Sequence, residues 1–435
     1  MSSNESIVRD QDKRAEAAVK RSLKEAFVFH NTYVADITER INKKQKSPAE
    51  QDRPVVNSTN EEYISKLGEQ DALFLEGVER SIGYTIKSIA IKSHALYYDI
   101  VGVRPQITLG LNSILDLSYN FPRGQSTIFS AVQWSHLREK YKYSYVSHPL
   151  SLSRKATEVL KNAETIAKTN VTEASDQIYK YLYLYKNRFT NDEQFVLFAH
   201  AFILEFLESN PYMFNKQVKK NEQDCIVKLW GPIMEKLVQK TPLRLKWGES
   251  SCSLLTNSLR ADLRVIYDQV EDRQVQEYDM MQMEATRISP TPQKFDFDHV
   301  KLLLETKDNI DLLQEYIGDG LCCIQFCGLE LFKYNLKHVS DTLYIGNKVT
   351  TNVILPAVKD FKFMTDLCNT LLTTRKEWTD LQRTLVLVKN SPKSADRSLQ
   401  DPPTQQTRLK KSPSWYPPRP DQKTAPLTPI PPNLS

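Results

Sequence analysis

Two runs of alternating character, LRADLRVIYD from Leu259 and VQEYDMMQMEATR ending at Arg287, flank the polar stretch QVEDRQ at 269–274. Successive side chains of a strand point to opposite faces, so two such runs joined by a short polar turn commit to an antiparallel hairpin. Asp262, Arg264, Ile266 and Asp268 then share a face of the first strand, and Gln282, Glu284 and Thr286 share one of the second. A turn centred near 271–273 sets Asp262 opposite Glu284 or within one or two positions of it. Facing carboxylates with Cβ atoms about 5 Å apart repel unless a positive charge lies between them. A divalent cation meets that need, because Mg²⁺ takes one or two carboxylates and leaves its other positions to water and phosphate.

The elements around the hairpin alternate in type. After Lys216 come the helical NEQDCIVKLWGPIMEKL, the segment LRLKWGES, the hairpin, a helix from Asp298 to Tyr316, the strand-rich LCCIQFCGLELFKYNLKHV and DTLYIGN, and a helix from Lys359 to Leu372. This order predicts an α/β core with a mixed sheet over 211–388. The N-terminal half reads as mostly helical. Residues 1–60 hold an amphipathic helix striped by Val19, Leu23, Phe27, Val34 and Ile41, followed by the linker KKQKSPAEQDRP. In 61–210 a second stripe runs from Leu67 to Leu96 and pairs with the first as a hairpin. ITLGL and ILDLSYNF are short strands or helical turns, and a helix is expected from Thr127 to Lys140. Further helices are expected over Ser153–Lys168, Val171–Arg188 and Asp192–Glu208, the last capped by Asn191. The predicted class is α+β.

The formal net charge of +5 belongs to one end of the chain. From Lys389 to Ser435 there are eight basic and three acidic residues, so residues 1–388 are neutral overall. A neutral body argues against a chain built mainly as a polybasic binder of nucleic acid or membrane. The tail also holds half of the 22 prolines. It reads as disordered over 389–435, with polyproline-type WYPPRP and APLTPIPP suited to SH3 or WW domains. RLKKSP offers an import patch or a phosphorylation site at Ser412. The polar start MSSNESIVRDQDKR and the lack of a run of about 18 apolar residues predict an intracellular protein, cytoplasmic or nuclear, with no membrane partner. The six cysteines do not suggest a disulfide framework, and LCCIQFC reads as a buried strand rather than a zinc site.

From the NEQDC helix to DTLYI, roughly Glu222 to Leu381, the succession of elements resembles a family of uncharacterised fungal proteins. Its order is similar to the core of the PD-(D/E)xK, or restriction-endonuclease-like, nuclease superfamily. That resemblance implies a helical acid, a strand Asp and a second strand ending in (D/E)xK, the acids holding Mg²⁺ and the lysine orienting the attacking water. Carried onto this chain, Asp262 resembles the strand Asp and Glu284 the second acid. Glu222 resembles the helical acid, with Glu249 as a second choice. The lysine position is Thr286. Lys301, on the following helix, is the candidate for a relocated lysine, as in some members of the superfamily. Arg287 points to the other face and cannot act as a base, but is suited to clamping a phosphate. The resemblance thus implies catalytic Asp262, Glu284 and Lys301, with Mg²⁺ on Asp262, Glu284 and Glu222.

Two runs interleave tyrosine with lysine: REKYKYSY (138–145) and YKYLYLYKNRF (179–189). Such runs stack bases beside phosphate contacts, or simply pack a helix, as the spacing of Tyr181 and Tyr185 favours. A basic cluster of Lys219, Lys220, Lys228, Lys236, Lys240, Arg244 and Lys246 is the better phosphate patch for a nucleic-acid partner, with Lys246 nearest the acids. Two functions follow: Mg²⁺-dependent phosphodiester hydrolysis, or a non-catalytic scaffold that uses the fold and the tail to bind partners. The missing lysine favours the second and the paired acids the first.

Overall fold

The chain divides into two compact units, Met1–Ser65 and Lys66–Ser435. The computed structural model describes residues 64, 73–75, 79–119, 124–144, 150–215, 217–250, 259–271, 273–314, 316, 320–355, 360–390, 411 and 414–417. The helix expected from Val19 to Ile41, its linker and most of the second stripe lie outside these residues. The described part of that stripe is α1, Ile82–Ser93, which Ser81 caps by accepting the Tyr84 N–H. Next comes α2, Arg104–Leu111. It crosses α1 at Gly110, where an added Cβ would lie 2.6 Å from Ala90 Cβ and 2.7 Å from Ile86 O, so only glycine permits the approach.

The fold is α+β, built on a seven-stranded mixed sheet among the described residues. Its strands are β1 Ile114–Asp116, β2 Leu243–Ser250, β3 Ala261–Glu271, β4 Gln274–Thr286, β5 Leu321–Cys327, β6 Glu330–Ser340 and β7 Leu343–Val353. The order across the sheet is β1-β7-β6-β5-β4-β3-β2, with β1 parallel to β7, β5 parallel to β4 and the remaining neighbours antiparallel. A strand from the helical N-terminal half thus completes one edge, and the seam expected at 210/211 runs through a single unit. Three residues of strand carry too little periodicity to separate strand from helical turn by sequence.

After β1 come α3 Ala131–Lys140, α4 Arg154–Ala167, α5 Val171–Leu184 and α6 Asn191–Ser209. The cap of α6 is Thr190, not Asn191. Its hydroxyl accepts the Glu193 N–H at 3.2 Å while the Glu193 carboxylate accepts the Thr190 N–H at 2.8 Å, a reciprocal pair that Asn191 cannot make one residue later. Tyr181 and Tyr185 stack with ring centres 5.8 Å apart and take Lys155 of α4 against their faces, so this run packs one helix on another.

The acid-bearing helix near 222 is broken into α7 Glu222–Cys225, a π turn over Ile226–Trp230, and α8 Gly231–Val238. Trp230 from that turn stacks on Phe326 at 4.5 Å and donates its indole N–H to Gly328 O at 2.8 Å, which pins the helix under the sheet. The crossover between β4 and β5 is α9, Pro292–Leu313. It starts six residues before the expected Asp298, because Thr291 caps it and Pro292 suits the first helical position. The last helix, α10 Lys362–Asn390, runs far past the expected end at Leu372. Leu371, Trp378 and Leu385 recur every seven residues and are all buried, and no proline interrupts them before Pro392.

One sheet face packs under α9 and the other under α10. Asn309 of α9 donates to Asp279 O, and His299 Nε2 meets Asp116 Oδ2 of β1 at 2.8 Å. On the opposite face, fully buried Lys333 of β6 reaches both oxygens of Glu377 on α10, at 2.9 and 2.7 Å. No described helix is long and apolar enough to cross a membrane. The free cysteines Cys225, Cys322, Cys323, Cys327 and Cys368 are all buried as small core residues. In the tail, Lys411 and residues 414–417 are described, and Trp415 is buried; the expectation of disorder does not hold there, and the rest of 391–435 lies outside the described residues.

Candidate functional site

The hairpin closes as a two-residue turn, Glu271 pairing with Gln274, and Arg273 takes the left-handed φ of +67° that such turns require. From there the register pairs Ile266 with Asp279, but one step on Val265 pairs with Met281 and Leu263 with Met283. Met280 is therefore the extra residue of a bulge. Without it the register set by the turn would bring Met283 opposite Asp262 and turn Glu284 to the other side, since a one-residue slip exchanges the faces. With it, the pairing carried one step past Leu263 and Met283 sets Asp262 across from Glu284. The Asp262 carboxylate accepts the Ala285 N–H at 2.9 Å, which fixes it against the end of β4.

α9 lays a row of charges over this end of the hairpin. Lys294, Asp298, Lys301 and Glu305 follow one another at spacings of three and four and so share a helix face. Lys301 Nζ lies 2.8 Å from both Glu284 oxygens. Lys294 Nζ bonds Asp298 Oδ1 at 2.7 Å. Neither carboxylate oxygen of Glu305 has a hydrogen-bond partner among the described residues, although the residue is only 4% exposed. The sequence singles out Lys301 but not Asp298 and Glu305; their signal is the helical spacing itself, within a run that reads only as a helix from Asp298 to Tyr316.

The electrostatics follow from crowding acids into a buried place. Burial, then the neighbouring Asp262 carboxylate, pushes Glu222 up to about 7. Burial pushes Asp298 up to about 6, with Lys294 and Lys301 working against it. Glu284 and Glu305 are both raised, first by burial and then by the negative charges around them, so the pair holds protons at pH values where free carboxylates have lost theirs. Burial alone would lower Lys301, but Glu284 and Glu305 hold it above its ordinary value. Glu222, Asp262, Glu284, Asp298 and Glu305 thus form one electrostatic group with Lys294 and Lys301.

The expected phosphate-binding residues fare differently. Arg287 is exposed, one residue past the end of β4 at Thr286. Lys246 is held by both oxygens of Glu277 at 3.1 and 3.0 Å, beside Arg244, which binds Asp268 and Glu277. Lys220 is buried on Asn215 O, Lys228 faces Asp224, and Lys240 bonds Asn191 and Gln194. These cations serve local pairs instead of forming an open phosphate patch. The Glu249 side chain lies outside the described ones.

Beside Lys294 and Lys301 opens a cavity of about 260 Å³, walled by Tyr97, Thr108, Leu259 and Val300 and closed on one side by Pro417 of the tail. Metal fit is mixed. The unpartnered Glu305 oxygens and the proton-holding acids are hard donors in need of a cation, and Mg²⁺ requires only one or two of them. Yet among the described residues no group of three or more His, Cys, Asp or Glu side chains is arranged to hold a metal ion. No protein-family model matches the chain, and neither does any curated protein or solved structure.

Proposed function

We propose that the chain is a Mg²⁺-dependent phosphodiesterase of the restriction-endonuclease-like kind, acting on nucleic acid. The observation that carries this reading is the Asp262, Glu284 and Lys301 set, with Lys301 Nζ 2.8 Å from the Glu284 carboxylate and Asp262 anchored on the Ala285 N–H. Support comes also from the order of elements. A helix with an acid at its start, three antiparallel strands, a crossover helix and a strand parallel to the third follow as the resemblance arranges them. The lysine absent at Thr286 is supplied from α9.

In this reading Asp262 and Glu284 hold the metal, with Glu222 as the third acid. The metal supplies Lewis acidity and a bound water of lowered pKa. Lys301 Nζ holds Glu284 in place and offers its remaining protons to a phosphate oxygen. Glu305, buried and without a hydrogen-bond partner among the described residues, takes the proton that the attacking water gives up. It does so only in its ionised form, so turnover should rise as pH passes about 8. The cavity beside Lys301 accommodates the portion of the substrate next to the scissile phosphate.

The test is cleavage of plasmid DNA, single-stranded DNA and RNA by the purified chain, with Mg²⁺ and with a chelator. Glu284→Gln and Asp262→Asn are each expected to lower metal-dependent cleavage by at least a hundredfold. Equal cleavage by the wild type and both variants, or none by any, rejects the reading. A second reading, a non-catalytic scaffold on the same fold, is favoured by Lys301 already neutralising Glu284, with no three-ligand group among the described residues. In that case Mg²⁺ does not change the stability of the wild type, whereas the catalytic reading expects it to raise the melting temperature. SH3 or WW partners for the tail draw on prolines beyond Pro417, since Trp415 is engaged within the chain.

A further inference from the structure

We propose that a second site, on the α10 side of the sheet and distinct from the acids, binds a nucleoside phosphate. A cavity of about 680 Å³ lies between α10, the β6–β7 pair and the residues that follow α3. Its size is that of a cofactor pocket, a few hundred to about 1,000 Å³. Lys333 and Asn335 alternate with Tyr334 along β6; Lys333 reaches α10, while Tyr334 packs on His299 of α9. The cavity therefore sits across the sheet from Lys301 and Glu284.

Its walls are cationic. Lys140, Lys142, Lys337 and Lys376 line it against only Glu377 and Asp380. Each of these acids has its own cation: Lys333 on Glu377, Lys376 and Arg383 on Asp380. The net field at the mouth is positive and suits an anion.

Its floor is polar and unsatisfied. Asn335 is 2% exposed, and although its Nδ2 donates to Leu321 O at 3.4 Å, its Oδ1 has no partner among the described residues. Thr373, 4% exposed, is in the same state. On the same helix Thr370, Thr374, Thr379 and Thr384 each donate to the carbonyl four residues back; Thr373 Oγ1, in the cavity wall, does not. The Tyr141 hydroxyl is a third such atom, from a third element. Buried polar atoms are ordinarily partnered, so three around one cavity mark a place shaped for a polar guest.

The chemistry then selects the guest. Lysines at the mouth take phosphate, a base stacks beside Tyr141 and Tyr143 of the lining once Lys140 swings from the Tyr141 ring to the phosphate, and the Asn335 and Thr373 atoms meet its edge or the sugar hydroxyls. This gives a role to the tyrosine–lysine run at 138–145.

The experiment is calorimetric titration of the full chain with ADP, adenosine, inorganic phosphate and a 12-nucleotide single-stranded DNA at two salt concentrations. ADP is expected to bind, adenosine and phosphate each at least tenfold more weakly. Lys142→Glu, an exposed substitution, lowers ADP affinity about tenfold and flattens its salt dependence. Thr373→Val lowers affinity by a similar factor and leaves the salt dependence unchanged. Glu284→Gln leaves ADP binding intact. The proposal is overturned if ADP fails to bind at millimolar concentration, if phosphate binds as well as ADP, if only the oligonucleotide binds, or if neither Lys142→Glu nor Thr373→Val changes the affinity of a folded protein.

Discussion

Asn112 and Trp415, 303 residues apart, hold each other by two hydrogen bonds: Asn112 Nδ2 donates to Trp415 O at 2.8 Å, and Trp415 N–H donates to Asn112 Oδ1 at 2.7 Å. The Trp415 ring sits edge-on to His94 and Tyr97 at 5.8 and 5.4 Å. Its neighbours Ser414 and Tyr416 both reach Asp308 on α9, and Lys307 reaches Ser414. A short piece of tail is thus tied to α2 and α9 together.

Asn112→Ala removes both of these bonds to the Trp415 backbone. It is expected to cost about 1–2 kcal/mol in chemical unfolding. Chymotryptic cleavage after Trp415 should accelerate at least tenfold. Unchanged cleavage would show that the seat of Trp415 does not depend on Asn112.

The contrast between tail and hairpin shows what a sequence exposes. WYPPRP was read as a ligand for another protein because its proline spacing is local, whereas its partner Asn112 is defined only by the turn that leads from α2 into β1. The Asp262 and Glu284 pair was legible, since period-two alternation and turn position place both acids within a residue or two. The bulge at Met280 was not, because nothing in DMMQM distinguishes the extra residue; it is fixed by Arg264 and Asn309 gripping Asp279. The basic cluster at 219–246 failed for the same reason in reverse. Its charges are visible, but Asp268 and Glu277, which hold Arg244 and Lys246, come from strands whose pairing with β2 the sequence leaves open.

Lys301→Met tests the centre of the site. Glu284 is 2% exposed and loses its cation, so its carboxyl must take up a proton or remain as an uncompensated buried charge. Stability at pH 8 should fall by roughly 2–3 kcal/mol, less than the about 3–5 kcal/mol of a fully buried pair, because Lys301 keeps some contact with solvent. Cleavage, if the proposed activity holds, should fall at least a hundredfold. The double variant Lys301→Met, Glu284→Gln should recover most of the stability and none of the activity. Additive stability losses would mean that the two side chains do not act as a pair.

The raised acids have a definite sign in pH. A carboxyl whose folded pKa is above its unfolded one stabilises the fold below the unfolded value and loses that contribution as pH rises through the folded value. For Glu222, raised to about 7, the loss runs from about 4.5 to above 7, and Glu305 acts in the same direction. His200 opposes this below about 6.5, because burial lowers it to about 4 and the unfolded chain then binds the proton. The window is therefore about pH 6.5–7, above His200 and below the titration of buried Lys87, which is lowered to about 8 and opposes the slope there. Within that window the melting temperature should fall as pH rises. Glu305→Gln should flatten that slope and stabilise the chain at pH 8 by about 1 kcal/mol, with Mg²⁺ flattening it in the wild type. A wild-type slope that Glu305→Gln leaves unchanged would remove Glu305 from the account.

Arg264 and Asp279 hold the register on which the site depends. Both are fully buried, and Arg264 Nε lies 3.0 and 2.9 Å from the two Asp279 oxygens, with a further bond from Nη2 to Oδ1. Gln282 adds a bond to Asp279 Oδ2 at 3.0 Å, spanning the bulge from one side to the other. Removing one partner strands a buried charge, so Arg264→Met should cost about 3–5 kcal/mol. Replacing both, as Arg264→Met with Asp279→Leu, should cost much less than the sum of the single changes, because the pair is exchanged for apolar packing of similar volume. A double-mutant cycle in denaturant measures the coupling. The activity readout separates register from stability. If the ion pair positions the bulge, the stable double variant still loses cleavage, since Asp262 no longer falls opposite Glu284. Full activity in that variant would show that the Met280 bulge is held by the backbone alone.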